Sequence, residues 1–394
     1  MSRLWLRRLL LAGCFVSFIL YAVYFNSFGT NAQATMAYLE IDETANGLIM
    51  TVQAVGCMAV TILLGLWGER LHKIRGIAAG LLVMGAAGLA IGLMPLYGRS
   101  YPVMLALSLL AGVGYITIDL LMNSVIADVF PQRKEQLLPY VHAFYGIGAM
   151  LAPVFVTAVV NPDQPESFAL PYAITGIGAL LCAVALGAVG NAITPDTPYA
   201  HLREQQSASS HPAEIFRQGK AWLFLLSGFL YLCFQTGITT WLPRYCTQVR
   251  GDDFQTVGLS VIIYFLGALV MRFLSPIVYR HMSVGRFYRL SLLTSAALFL
   301  AFLLLPLPTP AAWALVAVVG LLQGATVPGL VILCCDAFPI RTASASSIVV
   351  FGVSLAAMAA PPVMGALMTG AGYREAMLLS TLCLPLAVWA LPKK

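Results

Sequence analysis

Asp119, Asn123, His142 and Arg272 are polar or charged residues set inside long apolar runs, and that setting makes them the first candidates for chemistry. Asp119 lies in the run 101–130, with no further charge before Asp128. If the run is helical, a rise of about 1.5 Å per residue sets the carboxylate near the middle of a hydrocarbon layer about 30 Å thick. A charge there costs about 2.5–3.5 kcal/mol on insertion scales, so such groups face a cavity or a partner. A carboxylate can also carry a proton, which makes Asp119 the candidate for proton coupling. The competing reading is a packing bond to a neighbouring helix. Asn123 falls four positions later, on the same helical face. Its amide both donates and accepts, which suits a hydroxyl-rich solute; alternatively it only satisfies Asp119. His142 changes charge near neutral pH and is read as a second coupling or substrate group, against a plain packing histidine. Tyr145, one turn on, would add an aromatic wall. Arg272 sits roughly 13 Å inside the end of its run. It either snorkels outward or acts as a cavity cation that pairs with Asp119 or binds an anionic solute.

These residues need elements to hold them, and the composition says which. Hydrophobic residues make up 60% of the 394 and charged residues only 10%. A soluble domain carries about 25% charged residues, so the chain reads as an all-α polytopic membrane protein with the lipid bilayer as its solvent. Twelve apolar runs are expected as spans, at 9–34, 46–67, 77–96, 101–130, 136–160, 168–190, 220–246, 255–281, 287–306, 310–337, 342–369 and 373–391. The first is too long for a cleaved signal segment and is read as a retained span.

With the N-terminus inside, seventeen of the 22 Lys and Arg residues fall in inner loops or tails and four in outer loops. By the positive-inside rule this places both termini in the cytoplasm. The segment 191–219, with Pro195, Pro198, Pro212 and a run of Gln and Ser, reads as a cytoplasmic linker. It divides an N-terminal bundle of six helices, 1–190, from a C-terminal one, 220–394. The halves repeat: Asp128-Val129-Phe130-Pro131-Gln132-Arg133 matches Asp336-Ala337-Phe338-Pro339-Ile340-Arg341, and the same offset of 208 links Gly112 to Gly320 and Pro153 to Pro361. Parallel six-helix repeats are an established transporter design.

The loop after the second run reads Gly65-Leu66-Trp67-Gly68-Glu69-Arg70-Leu71-His72-Lys73-Ile74-Arg75. It resembles the signature loop of the major facilitator superfamily, G-x-x-x-D-R-x-G-R-K, with Glu69 in place of the Asp and His72 in place of the second Gly. A finer likeness is to the fucose–proton symporter branch and its glucose-transporter-like relatives. It rests on Asp119 four positions before Asn123, on His142-Ala143-Phe144-Tyr145-Gly146-Ile147-Gly148-Ala149, and on the segment Tyr231–Tyr245 around Gln235 and Trp241. In that branch an acidic residue often stands at the position of Gln235, and another lies in the first span. Here the first span offers only the neutral Tyr24, Asn26, Asn31 and Gln33.

The resemblance implies two pseudo-symmetric six-helix bundles of the major facilitator fold. It also implies a secondary transporter that works by alternating access, a proton-coupled symporter of a small polar solute such as a sugar. Two other classes stay open: a proton-driven exporter of lipophilic compounds or metabolites, and a non-transporting membrane receptor. Proton coupling is assigned to Asp119 and His142. Substrate contacts are assigned to Asn26, Asn123, His142, Tyr145, Gln235, Trp241, Tyr264, Arg272 and Gln323. In the superfamily, charges at the cytoplasmic helix ends hold an inner gate; Glu69, Arg70, Asp128, Arg133, Asp336 and Arg341 are read in that role. The eight cysteines show no C-x-x-C spacing and no phosphate-binding glycine loop is present. Neither a metal, a cofactor, an enzymatic reaction nor a nucleic-acid partner is expected. The drive is a proton gradient, the partner a small-molecule substrate, the oligomeric state a monomer, and the setting a bacterial inner membrane.

Overall fold

The computed structural model describes residues 3–161, 163–192, 212–252 and 259–392. Among them no strand occurs, and the apolar runs fold as helices. Lipid offers no partner to a backbone N–H or C=O, so a spanning segment must bond within itself. Among the described residues eleven helices are long and apolar enough to cross a membrane. The twelfth run forms the helix Tyr373–Ala390, whose first turn carries the charges Arg374 and Glu375. Most of the linker expected at 191–219 lies outside the described residues.

The chain divides into two compact units, and each draws one short segment from the other half of the sequence. The first holds Met1–Pro131, Val141–Pro212 and Ile340–Ser347; the second holds Gln132–Tyr140, Ala213–Pro339 and Ile348–Lys394.

Within each unit the repeated glycines mark the same kind of helix crossing. A Cβ on Gly112 of the fourth span (Tyr101–Val129) would strike the carbonyl oxygen of Gln53 on the second span (Glu43–Trp67). A Cβ on Gly320 of the tenth span (Thr309–Gln323, then Thr326–Ala337) would strike the carbonyl oxygen of Tyr264 on the eighth span (Leu259–His281). The repeat is therefore a pair of backbone-to-backbone approaches that only a residue lacking Cβ permits.

Two spans are interrupted. Span ten was expected as one run, 310–337, but it breaks at Gly324 and Ala325. Pro328 supplies the reason: it has no N–H for the carbonyl four residues back, that of Gly324. Arg272 Nε donates to that carbonyl instead, at 3.2 Å. Pro276 likewise frees the carbonyl of Arg272, and the Ser275 hydroxyl donates to it at 3.2 Å. Span seven runs as an α-helix over Gly219–Thr236, widens to a π-helix over Gly237–Trp241, and widens again over Cys246–Arg250. Such π segments recur at functional sites.

Candidate functional site

In the first unit the site is built on spans one (Arg3–Leu39), four and five (Lys134–Val159). Asp119 is half-buried, and the Tyr21 hydroxyl donates to its Oδ1 at 3.2 Å. Asn123 is fully buried: its Nδ2 donates to the backbone carbonyl of Asp119 at 2.9 Å, and its Oδ1 lies 3.1 Å from His142 Nε2. With Oδ1 an acceptor, His142 carries its proton on Nε2 in that bond. Asn26 donates to the Tyr145 hydroxyl at 3.4 Å. Rings enclose this polar core: Tyr21 lies against Tyr115 and Tyr145 at centroid distances of 5.0 and 5.1 Å, Phe18 meets His142 edge-on at 5.6 Å, and Phe25 stacks on Tyr115 at 5.0 Å. Asp119, Asn123, His142, Tyr145 and Asn26 are thus brought into one neighbourhood. Both polar ends of the Asn123 amide are engaged inside the protein, which favours an orienting role over a substrate contact.

In the second unit, spans seven, eight and ten meet around Tyr264. Its hydroxyl donates to Gln323 Oε1 at 2.9 Å, and Tyr231 and Gln235 lie near it. Tyr231 in turn lies near Thr326, whose buried hydroxyl makes no hydrogen bond, at the start of the second half of span ten. Arg272 lies beside Tyr231 and Tyr264. Gln323 Nε2 is buried without a hydrogen-bond partner, as is Trp241 Nε1 at the end of the π segment. Arg244 covers the Trp241 ring at 5.5 Å.

The charged helix ends form a third constellation, and here the expected residues need correcting. Lys73 was not among them, yet its side chain is 0% exposed and holds the cluster together. Its ammonium lies 2.7 Å from Glu69 Oε2, 2.8 Å from Asp128 Oδ2 and 2.9 Å from Thr342 Oγ1. The Thr342 hydroxyl spends its proton on Asp128 Oδ1 at 2.6 Å, so Ser124, 2.7 Å away, donates to Thr342. Glu69 Oε1 accepts from the backbone N–H groups of Ala343 and Ser344 at 2.6 and 3.0 Å. It thereby caps the eleventh span (Thr342–Gly370), satisfying orphan donors and facing the positive end of the helix dipole. All these residues belong to the first unit. Arg70 and Arg133, expected in the same gate, are exposed, because Arg70 ends the 3-10 turn Gly68–Arg70 and Arg133 sits in the turn before span five. In the second unit Asp336 pairs with Lys134 at a half-exposed site. Arg341 is half-buried.

Sequence reasoning missed Tyr21, Tyr115, Tyr231 and Lys73. A tyrosine in an apolar helix looks like any packing ring. The available signal was Phe18, Tyr21 and Phe25 at helical spacing on one face of span one. Lys73 was counted as an ordinary loop charge, although its place four residues after Glu69 allows an i,i+4 pair. No group of three or more His, Cys, Asp or Glu among the described residues could hold a metal.

Comparison with known proteins gives one consistent family. The profile described as Major Facilitator Superfamily matches residues 13–339. The cyanate transport protein CynX of Escherichia coli (strain K12) is 26% identical over 314 residues, 77% of this chain and 74% of that protein. Among solved structures, the transporter FucP in its outward conformation superposes with a TM-score of 0.80 at 18% identity, covering 97% of both chains. The proton:xylose symporter XylE gives 0.74 at 15% identity, covering 98% of this chain and 95% of its own. A bacterial homologue of the iron transporter ferroportin, in an outward-facing state, gives 0.74 at 14%, covering 97% and 98%.

Proposed function

We propose that this chain, which belongs to the Major Facilitator Superfamily and is therefore a multi-pass membrane transporter and not an enzyme, couples solute movement to protons through Asp119. The observation that carries this is the placement of Asp119: a carboxylate inside an apolar span, held by the Tyr21 hydroxyl and adjoining the Asn123–His142 pair. Alternating access needs groups whose state differs between loaded and empty forms, and a carboxylate that takes and releases a proton is such a group. Tyr21 orients it, and Asn123 fixes His142 as a donor. The charged cluster around Lys73 acts as a latch at the end that the positive-inside pattern makes cytoplasmic, and Lys134–Asp336 acts as its counterpart in the second unit.

Support comes from what similar proteins are named for. XylE and the Escherichia coli FucP are proton symporters of sugars, CynX carries cyanate, and the ferroportin homologue belongs with iron transport. Two of them are named as proton symporters, and the four differ in what they are named for carrying. The reading for this chain is symport of a small polar solute, of which a sugar is one class, by a monomer in a bacterial inner membrane with both termini inside. A proton-driven exporter of lipophilic compounds would use the same carboxylate, and the rings of Tyr21, Phe25, Tyr115 and Tyr145 suit it. Proteoliposomes with an imposed pH gradient decide between the two. Inward accumulation abolished by a protonophore supports the symporter, outward pumping the exporter, and solute flux indifferent to the gradient overturns proton coupling.

A further inference from the structure

Span seven ends in a folded-back segment. After Leu242–Tyr245 it widens into the π turn Cys246–Arg250, and Gly251, in the left-handed region at φ 74°, reverses the chain. The Asp252 N–H then donates to the Cys246 carbonyl at 3.0 Å. This end and Tyr373, at the start of span twelve, surround a cavity of about 510 Å3 lined by Arg244, Thr247, Gln248, Asp252 and Tyr373. All five residues belong to the second unit. The volume falls in the range of small-molecule sites, about 300–1,000 Å3. The positive-inside pattern sets this end of span seven outside.

The two charges in the cavity wall are unequally matched. Asp252 is engaged within the protein: Arg250 Nε donates to its Oδ2 at 3.1 Å and the Thr309 hydroxyl to its Oδ1 at 2.6 Å. The Arg250 and Asp252 side chains are only 10% and 5% exposed. Arg250 is fixed in turn by the Leu307 carbonyl at 2.9 Å and by the Phe302 ring at 5.2 Å. Arg244, by contrast, is exposed and has no ion pair among the described residues. Its guanidinium lies 5.5 Å from the centroid of the Trp241 ring. That ring is backed by span eleven, where a Cβ on Gly365 would lie 3.3 Å from it. A ring face attracts a cation but carries no net charge, so the charge of Arg244 is left unbalanced. Gln248 and Tyr373 add an amide and a phenol that make no side-chain hydrogen bond among the described residues. Arg374 and Glu375, which follow Tyr373, are exposed and of opposite sign.

We propose that this cavity is a binding site for a small organic monocarboxylate, open to the outer solution and separate from the Asp119 neighbourhood of the first unit. A carboxylate matches the guanidinium fork in a bidentate pair. One negative charge balances Arg244, whereas a second would face Asp252 with no cation left for it. Gln248 and Tyr373 supply neutral donors to the same group. The Thr247 hydroxyl spends its proton on the carbonyls of Pro243 and Arg244, at 3.2 and 3.0 Å, and so can accept from a hydroxyl on the ligand. The volume exceeds what an inorganic ion fills, which favours an organic acid. Because Arg244 is exposed, water and salt screen the pair, and the affinity is weak, with a Kd on the order of 1 mM.

Saturation-transfer NMR on the purified full chain in detergent reads ligands of that affinity. The probes are sodium acetate, lactate and gluconate at constant ionic strength, with D-xylose and choline chloride as neutral and cationic controls and disodium succinate as the dianion. Saturable transfer to at least one monocarboxylate is expected, with none to the two controls. Its affinity should fall at least about tenfold in Arg244→Gln and about tenfold in Arg244→Lys, which keeps the charge but loses the fork. If neither variant folds, Gln248→Glu decides: it puts a carboxylate at an exposed position in the cavity wall and should also weaken binding about tenfold. Binding retained in Asp119→Asn is expected. No transfer to any of the three monocarboxylates, succinate bound more tightly than all of them, or wild-type affinity in Arg244→Gln or Gln248→Glu overturns the site. So does binding lost in Asp119→Asn but kept in Arg244→Gln, which would move the ligand to the first unit. Asp253 lies outside the described residues, and binding seen only in Asp253→Asn would make that carboxylate the occupant and overturn the proposal. None of these readings uses a pH gradient, so the site stands or falls apart from proton coupling.

Discussion

Removing the Lys73 ammonium by Lys73→Met puts the strongest demand on the first unit. In the native protein one ammonium faces two carboxylates, with side chains 0%, 8% and 1% exposed for Lys73, Glu69 and Asp128. The dipole at the start of span eleven adds about half a positive charge near Glu69. Lys73→Met keeps the chain length and removes the ammonium, leaving the two carboxylates opposite only that half charge. Breaking a buried pair from one side costs about 3–5 kcal/mol, since the remaining charge stays desolvated. The first unit comprises roughly 200 residues, for which each kcal/mol lowers the midpoint by about 2–4 °C, so its unfolding should shift down by about 6 °C or more. Adding Asp128→Asn removes one stranded charge and should restore about half of the loss, a non-additivity that only groups in contact show. Thermal melts of the single and double variants in detergent, read by tryptophan fluorescence, make the test. A Lys73→Met midpoint within about 1 °C of wild type, or a double variant no better than the single, would refute the charge accounting.

Three further outcomes are expected. Asp128→Asn and Asp336→Asn should each loosen the proposed cytoplasmic latch, at about 1–3 kcal/mol where the pair is buried, and lengthen spin-label distances across that face; unchanged distances in both would leave these residues a purely structural role. Gly320→Val should cut the yield of folded protein sharply and Gly320→Ala less so, because any Cβ meets the Tyr264 carbonyl oxygen; wild-type melts for Gly320→Val would show the crossing to be loose. Single cysteines placed at 200–215 should react with membrane-impermeant reagents only from the inner side of the membrane, and labelling from outside would reverse the proposed orientation.

The long elements were legible because the bilayer allows few alternatives. A run of about twenty apolar residues must become a helix, so the expected spans agree with the observed ones to within a few residues in most cases, as with 101–130 against Tyr101–Val129 and 342–369 against Thr342–Gly370. Asp119 was legible because charge stands out against apolar sequence. What surrounds it was not, since Tyr21 and Tyr115 announce themselves only through packing. Pro328 and Gly324 were visible in the sequence, but the break of span ten was missed because apolarity continues across it. The donor that makes the break tolerable, Arg272, lies on another helix. Lys73 was hidden by the rule that reads basic residues as topology: the 3-10 turn Gly68–Arg70 folds it inward, while Arg70 beside it stays exposed.

The central claim is that Asp119 carries the coupled proton. Asp119→Asn is nearly isosteric, can still accept from Tyr21, and is held neutral at every pH. Proteoliposomes containing this variant should exchange internal for external solute at a sizeable fraction of the wild-type rate, yet fail to concentrate solute when a pH gradient is imposed. Accumulation against a gradient at the wild-type level in Asp119→Asn would contradict the account and move the search for the coupling group to His142.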